Sequence, residues 1–269
     1  MRRKWLLTCC SLLVLLFASC GRLIRPVEPF VYQFEVGKTY RYHLSMESQL
    51  SLEAGLVGYQ GTVKLTASLY MTPLAFSNGQ YLFQLLIRDV SLENADKNLS
   101  GAVYSYLNYL STVFYEWYMT PEGRVTVYYR DLPIYPLQWL AGMVLVDVSH
   151  WDEITGRGEE KTTNFQAMFQ NQEITVETSL FQRLVAINSE SYTLEQRYTY
   201  NAYKQKAFPM ANIDFQMETI LNRKTKRIAT KTGYFQFQGS VPFLQQGFLS
   251  LSARFQGMGK FILEEEPLQ

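Results

Sequence analysis

The chemistry open to this chain rests on very few residues. Its histidines are His43 and His150, and its cysteines are Cys9, Cys10 and Cys20. His150-Trp151-Asp152-Glu153 sets an imidazole beside two carboxylates, a combination that can poise a histidine for proton transfer. It directly follows a long apolar run, however, where the polar end of a helix is expected. His43 falls on the polar face of its strand and reads as a solvated side chain. The two histidines are far apart and neither has the ligand spacing of a metal site, so no metal and no other cofactor is expected. Gly156-Arg157-Gly158-Glu159-Glu160-Lys161 lacks the Gly-Lys-Ser/Thr ending and the strand-to-helix setting of a phosphate loop, and reads as a turn. No Gly-x-Ser-x-Gly elbow and no placeable pair of carboxylates occurs. The sequence predicts no catalytic residue and no enzyme.

The covalent chemistry that does stand out is an address. Arg2, Arg3 and Lys4 precede an apolar Leu6–Phe17 of about a dozen residues, too short for a comfortable membrane span of roughly 20. Leu16-Phe17-Ala18-Ser19-Cys20-Gly21 follows. Small residues directly before a cysteine resemble a bacterial lipobox, with Phe17 standing where Leu, Ile or Val is usual. That resemblance implies a signal peptide over residues 1–19, lipidation of Cys20 as the first mature residue, and a short lipidated tether over 20–29. Gly21 in place of Asp after the cysteine resembles outer-membrane sorting. Cys9 and Cys10 leave with the signal, so Cys20 remains alone and no internal disulfide is expected. Removing Arg2, Arg3 and Lys4 from 25 Lys+Arg leaves 22 against 24 Asp+Glu, a net of −2. Such a balance carries no nucleic-acid footprint.

The elements behind these residues are strands. Nineteen Tyr and 17 Phe favour strand over helix, and a 47% hydrophobic composition supplies a core without staples. From Gly37 onward the chain alternates at period two. Tyr40, Tyr42, Leu44 and Met46 share one face. So do Val57, Tyr59, Gly61, Val63, Leu65, Ala67, Leu69 and Met71, with Pro73 expected to end that strand. Tyr81–Val90 is apolar on both faces and is expected to be covered on both. Thr120-Pro121-Glu122-Gly123 marks a hairpin between Thr112–Met119 and Arg124–Arg130. Val103–Leu110 is open between a short helix and an irregular strand. Ile174–Ile187 and Ser191–Tyr203 form a long pair, followed by Ile213–Leu221 and Ile228–Phe237. In the last strand, Leu249 to Leu263 alternate and carry Gly257 and Gly259 on the apolar face, a sign of strong curvature.

Leu132–Val148 breaks this pattern, being apolar nearly all round with Pro133 and Pro136 fitting a helix's first turn. A helix greasy on every face must be buried on every face. The expectation is an all-β fold with minor α content: one domain over 30–269, a long-stranded antiparallel barrel or half-barrel of ten to twelve strands enclosing one apolar helix near 134–148. A membrane-spanning barrel is disfavoured because Ser191–Tyr203 carries Glu195, Gln196 and Arg197 where a lipid belt would be apolar.

Phe34-Glu35-Val36-Gly37-Lys38-Thr39-Tyr40-Arg41-Tyr42 resembles the opening strand of the N-terminal domain of vitellogenin-type large lipid transfer proteins. The order that follows over residues 30–170 is also similar: a long second strand, a hairpin closing at Gly123-Arg124-Val125, an apolar helix at Leu137–Val148 and an acidic, glycine-bearing turn at Glu153–Gly158. The resemblance implies a β-barrel wrapped around a helix. The chain departs from the family in lacking its disulfides, its helical domain and its lipid-cradling sheets. A looser resemblance is to the curved-sheet-plus-helix lipoprotein carriers of the bacterial envelope. Together they imply a non-enzymatic envelope protein, anchored to the membrane through acylated Cys20, that binds or transfers lipid or another apolar ligand. The alternative is a filled barrel serving as a protein-interaction module at the outer membrane.

Overall fold

The structure, a computed structural model, describes residues 27–54, 57–93, 111–112, 114–129, 144–169, 172–205, 208–246 and 249–267. Eleven strands and one short helix lie among them: β1 (Tyr40–Ala54), β2 (Val57–Ser77), β3 (Gln80–Glu93), β4 (Phe114–Met119), β5 (Val125–Tyr129), α1 (Trp151–Thr155), β6 (Glu159–Phe169), β7 (Gln172–Ile187), β8 (Ser191–Gln205), β9 (Phe208–Asn222), β10 (Arg227–Gln246) and β11 (Leu249–Glu265). Two antiparallel meanders, β1–β5 and β6–β11, join where the first strand pairs with the last. The order is β5-β4-β3-β2-β1-β11-β10-β9-β8-β7-β6. Because β5 and β6 are edges and do not pair, the sheet is an open half-barrel and not a closed barrel.

Period-two alternation sorts the strands' side chains as expected. Tyr42, opposite Leu69 on one side and Glu265 on the other, begins a register that carries Leu44 beside Ala67 and Leu263, and Met46 beside Leu65 and Phe261. This inner face holds the core, with Leu69, Phe83, Leu85, Trp117, Leu194, Leu221 and Leu263 among its buried residues. The outer face is polar, for example Glu47, Lys64, Glu218 and Lys260. The edge strand β6 exposes Lys161, Thr162, Thr163 and Asn164, a polar composition that discourages pairing with another chain.

The described turns at Ser77–Gln80, Thr120–Arg124, Ile187–Ser191 and Asn222–Arg227 sit at one end of the sheet, where β1 begins. Residues 27–37 cross this end as a strap. Tyr32 N–H donates to the Pro121 carbonyl at 2.8 Å, Gln33 N–H to Lys226 at 3.3 Å and Gly37 N–H to Pro73 at 2.7 Å. Alternate residues of the strap point inward and form a chain of ring contacts, edge-to-face, stacked or tilted, from Trp151 through Phe30, Tyr32 and Phe34 to Phe83 and Trp117, with centroids 4.9–6.4 Å apart. The end is therefore plugged by rings, each pair adding on the order of 1 kcal/mol beyond its buried area.

Three expectations need correction. Pro73 does not end β2, which runs on to Ser77. The proline sits at a register shift between Pro73 and Ala75, where its missing N–H leaves no gap in the ladder. The expected helix near 134–148 falls outside the described residues up to 143. Of its described remainder, Val144 is helical and Leu145–Val148 has no regular structure, with Leu145, Val146 and Val148 buried. His150–Glu153 is not the end of that helix. It starts the separate turn α1, whose Trp151 and Ile154 are buried on the core. The signal segment, Cys20 and the Val103–Leu110 reading also lie outside the described residues.

Candidate functional site

Five polar side chains intrude on the apolar inner face, and neighbouring strands bring them into a line. Glu159 opens β6, opposite Gln182 of β7, which lies opposite Gln196 of β8. Thr219 of β9 lies diagonally from Gln196 and directly opposite Lys231 of β10. Each is between 0% and 4% exposed. Burying a polar group without a partner costs several kcal/mol, so each demands a hydrogen bond.

The line supplies its own. Gln182 Nε2 donates to Glu159 Oε2 at 2.6 Å, Gln196 Nε2 to Gln182 Oε1 at 3.3 Å, and Thr219 Oγ1 to Gln196 Oε1 at 2.7 Å. Two members also reach the covering segment Val144–Val148. Gln182 Nε2 donates to the Asp147 carbonyl at 2.6 Å, and Lys231 Nζ donates to the Leu145 carbonyl at 3.3 Å. The same segment is held from its other side. Val146 N–H donates to Tyr32 Oη at 2.9 Å and Val148 N–H to the Glu122 carbonyl at 2.8 Å. Gly123, at φ +86°, passes so close to the Val146 carbonyl and to the Tyr32 ring that a Cβ would collide with both. An irregular backbone inside a core is tolerable only if its N–H and C=O groups are satisfied. Here side chains of the sheet satisfy them.

Burial sets the ionisation of this layer. Lys231 is withdrawn from water by the core, which lowers its pKa to about 7. Burial likewise pushes the Tyr32 and Tyr198 hydroxyls well above the usual phenol range. A neutral-range amine is the feature of this chain most like a tuned catalytic group. Its neighbours do not form a reacting set: Thr219 Oγ1 gives its proton to an amide oxygen, and no nucleophile–base pair occurs along the line. The arrangement clamps Val144–Val148 to the sheet.

At its outer end the line reaches His150. Nδ1 lies 2.8 Å from Glu159 Oε1 and 4.0 Å from Glu153 Oε2. These three side chains could in principle surround a cation, since their ligand atoms lie within 4.8 Å of one another. The shorter distance is that of a direct hydrogen bond, and His150 and Glu153 face solvent. The arrangement is that of a hydrogen bond capping the buried carboxylate. Sequence reading had paired His150 with Asp152 and Glu153, and had not brought in Glu159. His43 sits on the outer face, in phase with Arg41 and Ser45, as expected.

The clamp residues left a signal that pairing rules alone would not reveal. Gln182 falls in phase with Leu180 and Leu184, Gln196 with Leu194 and Tyr198, Thr219 with Met217 and Leu221, and Lys231 with Gly233 and Phe235. Each is a polar residue at an inward position, and their alignment depends on non-local register.

Beyond the Lys231 row the inner face stays apolar toward the far end of the sheet. Tyr198, Tyr200, Ile213, Phe237, Phe255, Leu50 and Leu52 lie there in adjacent registers and are half-buried, unlike the fully buried plug. The hydrogen bonds that pin the described covering segments end at Leu145 on Lys231. A separate trough of about 630 Å³ lies on the outer face, lined by Gln49, Ser51, Gln60, Thr62, Gln236 and Gln256. Its walls mix these polar side chains with apolar surface, including Met258.

No protein-family model matches the chain, and no curated protein does so by sequence. Among solved structures, the chain is similar to lipovitellin, in a structure concerned with lipid–protein interactions. The TM-score is 0.46 at 14% identity, over 88% of this chain. The chain spans 26% of that lipovitellin chain. It is also similar to a DUF1329 family protein from Desulfovibrio piger, with a TM-score of 0.17 at 8% identity over 80% of this chain and 84% of the other.

Proposed function

We propose that the protein is a non-enzymatic component of a bacterial cell envelope, held to the membrane by acyl chains on Cys20, that carries a lipid or another apolar ligand against the inner face of its half-barrel. One observation carries the ligand reading. The apolar inner face is longer than its described cover: it is plugged at the turn end, clamped as far as Lys231, and then continues as half-buried aromatic and aliphatic residues from Leu50 across to Tyr200. A half-buried concave apolar surface of this kind is where an acyl chain gains by leaving water, about 0.8 kcal/mol per buried methylene. Support for the anchor is the Ala18-Ser19-Cys20 sequence, and support for outer-membrane residence is Gly21 after it.

Native mass spectrometry with lipid extraction, on protein purified from envelope membranes, tests this. The expected result is a stoichiometric lipid that survives gel filtration, together with the added mass of acyl chains on Cys20. A protein that remains empty after exposure to envelope lipids would mean the far half is filled by its own side chains. The filled-barrel interaction module would then take its place.

A further inference from the structure

The apolar side chains left in water are not spread evenly. Among the described residues eight large hydrophobic side chains are exposed, and five of them lie at the turn end: Val36 (53%), Leu74 (40%), Phe76 (50%), Val185 (46%) and Ile187 (51%). They form two prongs. Gly37 N–H on the Pro73 carbonyl brings Val36 beside Leu74, and Phe76 stands two residues further along β2. On the other side Val185 and Ile187 end β7, with Ile187 paired to Tyr192. The strap 27–37 runs between the prongs.

The N-terminal side of the strap leaves the sheet at the same place. Trp151 Nε1 donates to the Val27 carbonyl at 3.1 Å, and Tyr192 Oη donates to the Glu28 carbonyl at 3.2 Å, which sets Glu28 beside the Ile187 prong. Six residues separate Cys20 from Val27, and the seven Cα-to-Cα steps reach at most about 25 Å. The 21-residue β2 spans roughly 70 Å. A lipid held on Cys20 therefore lies near the turn end and cannot reach the far end. Exposed Lys224 and Arg157 on turns of this end are matched by the exposed carboxylates Glu28, Glu35, Glu153 and Glu190, so the face is distinguished by its apolar prongs and not by its charge.

We propose that the turn end is a membrane-docking face: Val36, Leu74 and Phe76 on one side and Val185 and Ile187 on the other enter the interfacial layer of the bilayer that holds the Cys20 acyl chains. The far half of the inner face then points away from that bilayer, and ligand arrives from or leaves toward the aqueous side. The placement deepens the anchored-carrier reading and takes its tether from it, while the exposed prongs stand on their own.

Spin labels test the orientation in the full acylatable chain, whose mature form offers Cys20 as its sole native cysteine. Phe76→Cys, Ile187→Cys and, at the far end of β1, Glu53→Cys are each labelled and mixed with phosphatidylethanolamine–phosphatidylglycerol vesicles. Labels at 76 and 187 are expected to be more accessible to oxygen than to an aqueous nickel chelate, with the order reversed at 53. The double variant Phe76→Ser/Ile187→Ser, in an unacylated Cys20→Ser chain, is expected to lower vesicle partition about tenfold or more. Labels at 76 and 187 as aqueous as the one at 53, or no effect of the double variant, overturn the docking face. The intact mass of the same sample reports acylation separately. An acylated protein with aqueous labels loses the docking face and keeps the anchor, whereas an unacylated protein with bilayer-exposed labels loses the anchor and keeps the face.

Discussion

A single buried amine decides how the inner face responds to pH. Lys231 has no exposed surface and a pKa lowered by burial to about 7, whereas in the unfolded chain it keeps the ordinary lysine value of 10.5. Between these values the unfolded state binds the extra proton, so unfolding free energy rises with pH across that window. Below about 7 both states are charged and the full cost of burying the ammonium is present. The span between the limits is at most about 5 kcal/mol. Urea unfolding between pH 6 and 9 is therefore expected to show wild-type stability climbing by several kcal/mol. Lys231→Met should flatten that climb and be the more stable protein at pH 6, because the penalty goes while the apolar stem is kept. Equal slopes in the two proteins would mean that the ammonium stays charged in the fold, paid for by its partners. Loss of the bond to the Leu145 carbonyl should cost about 1 kcal/mol in the variant, too little to hide the effect.

At the scale of the strand, glycine and phenylalanine are matched across the sheet. Phe235 lies opposite Gly259 and Phe237 opposite Gly257, and a Cβ on either glycine would come within 2.6 Å of the facing ring. The rings lie over the bare backbone and let β10 and β11 curl together. Gly259→Ala would press on Phe235 and on the Glu47 carbonyl. Its expected cost is about 1–3 kcal/mol by urea midpoint. Phe235→Leu in the same chain should recover part of it, so the two changes should be less than additive; strict additivity would place the strain on the backbone alone. These strands were legible in the sequence because parity is local: the faces of β2 and β11 follow from residues two apart. Pro73 was misread because a bulge is a property of the pair, not of one strand. The clamp was invisible for a related reason. Thr219 and Lys231 become neighbours only through the β9–β10 register, and Glu159 reaches His150 only after α1 turns the chain. The end of the expected helix at Leu145–Val148 went wrong because hydrophobicity on every side signals burial, and burial can equally be met by an irregular segment whose backbone the sheet hydrogen-bonds.

On the scale of the whole molecule the sheet is built unequally along its length. One end is filled by the rings of the strap and by Val144–Val148, and the other carries an apolar lining without comparable burial. A filled core and a ligand cavity answer oppositely to added volume. Ile213 lies in register with Tyr200 and Phe237, midway across the far half. If that half is a cavity, Ile213→Trp adds apolar surface where space exists. Stability without ligand should then stay level or rise, and the co-purifying lipid should fall below stoichiometry. Wild type should also gain from saturating lipid, about 2.7 kcal/mol at a hundred times the dissociation constant, and the variant should gain less. If the half is packed by the protein itself, the same tryptophan overfills it and costs about 1–3 kcal/mol, with no lipid dependence in either protein. Thermal unfolding of both proteins, with and without envelope lipid, reads the two cases directly. Because Ile213 is remote from the Lys231 clamp and from the plugged end, a fall in stability cannot be charged to either, and the sign of the change assigns the far half to cargo or to core.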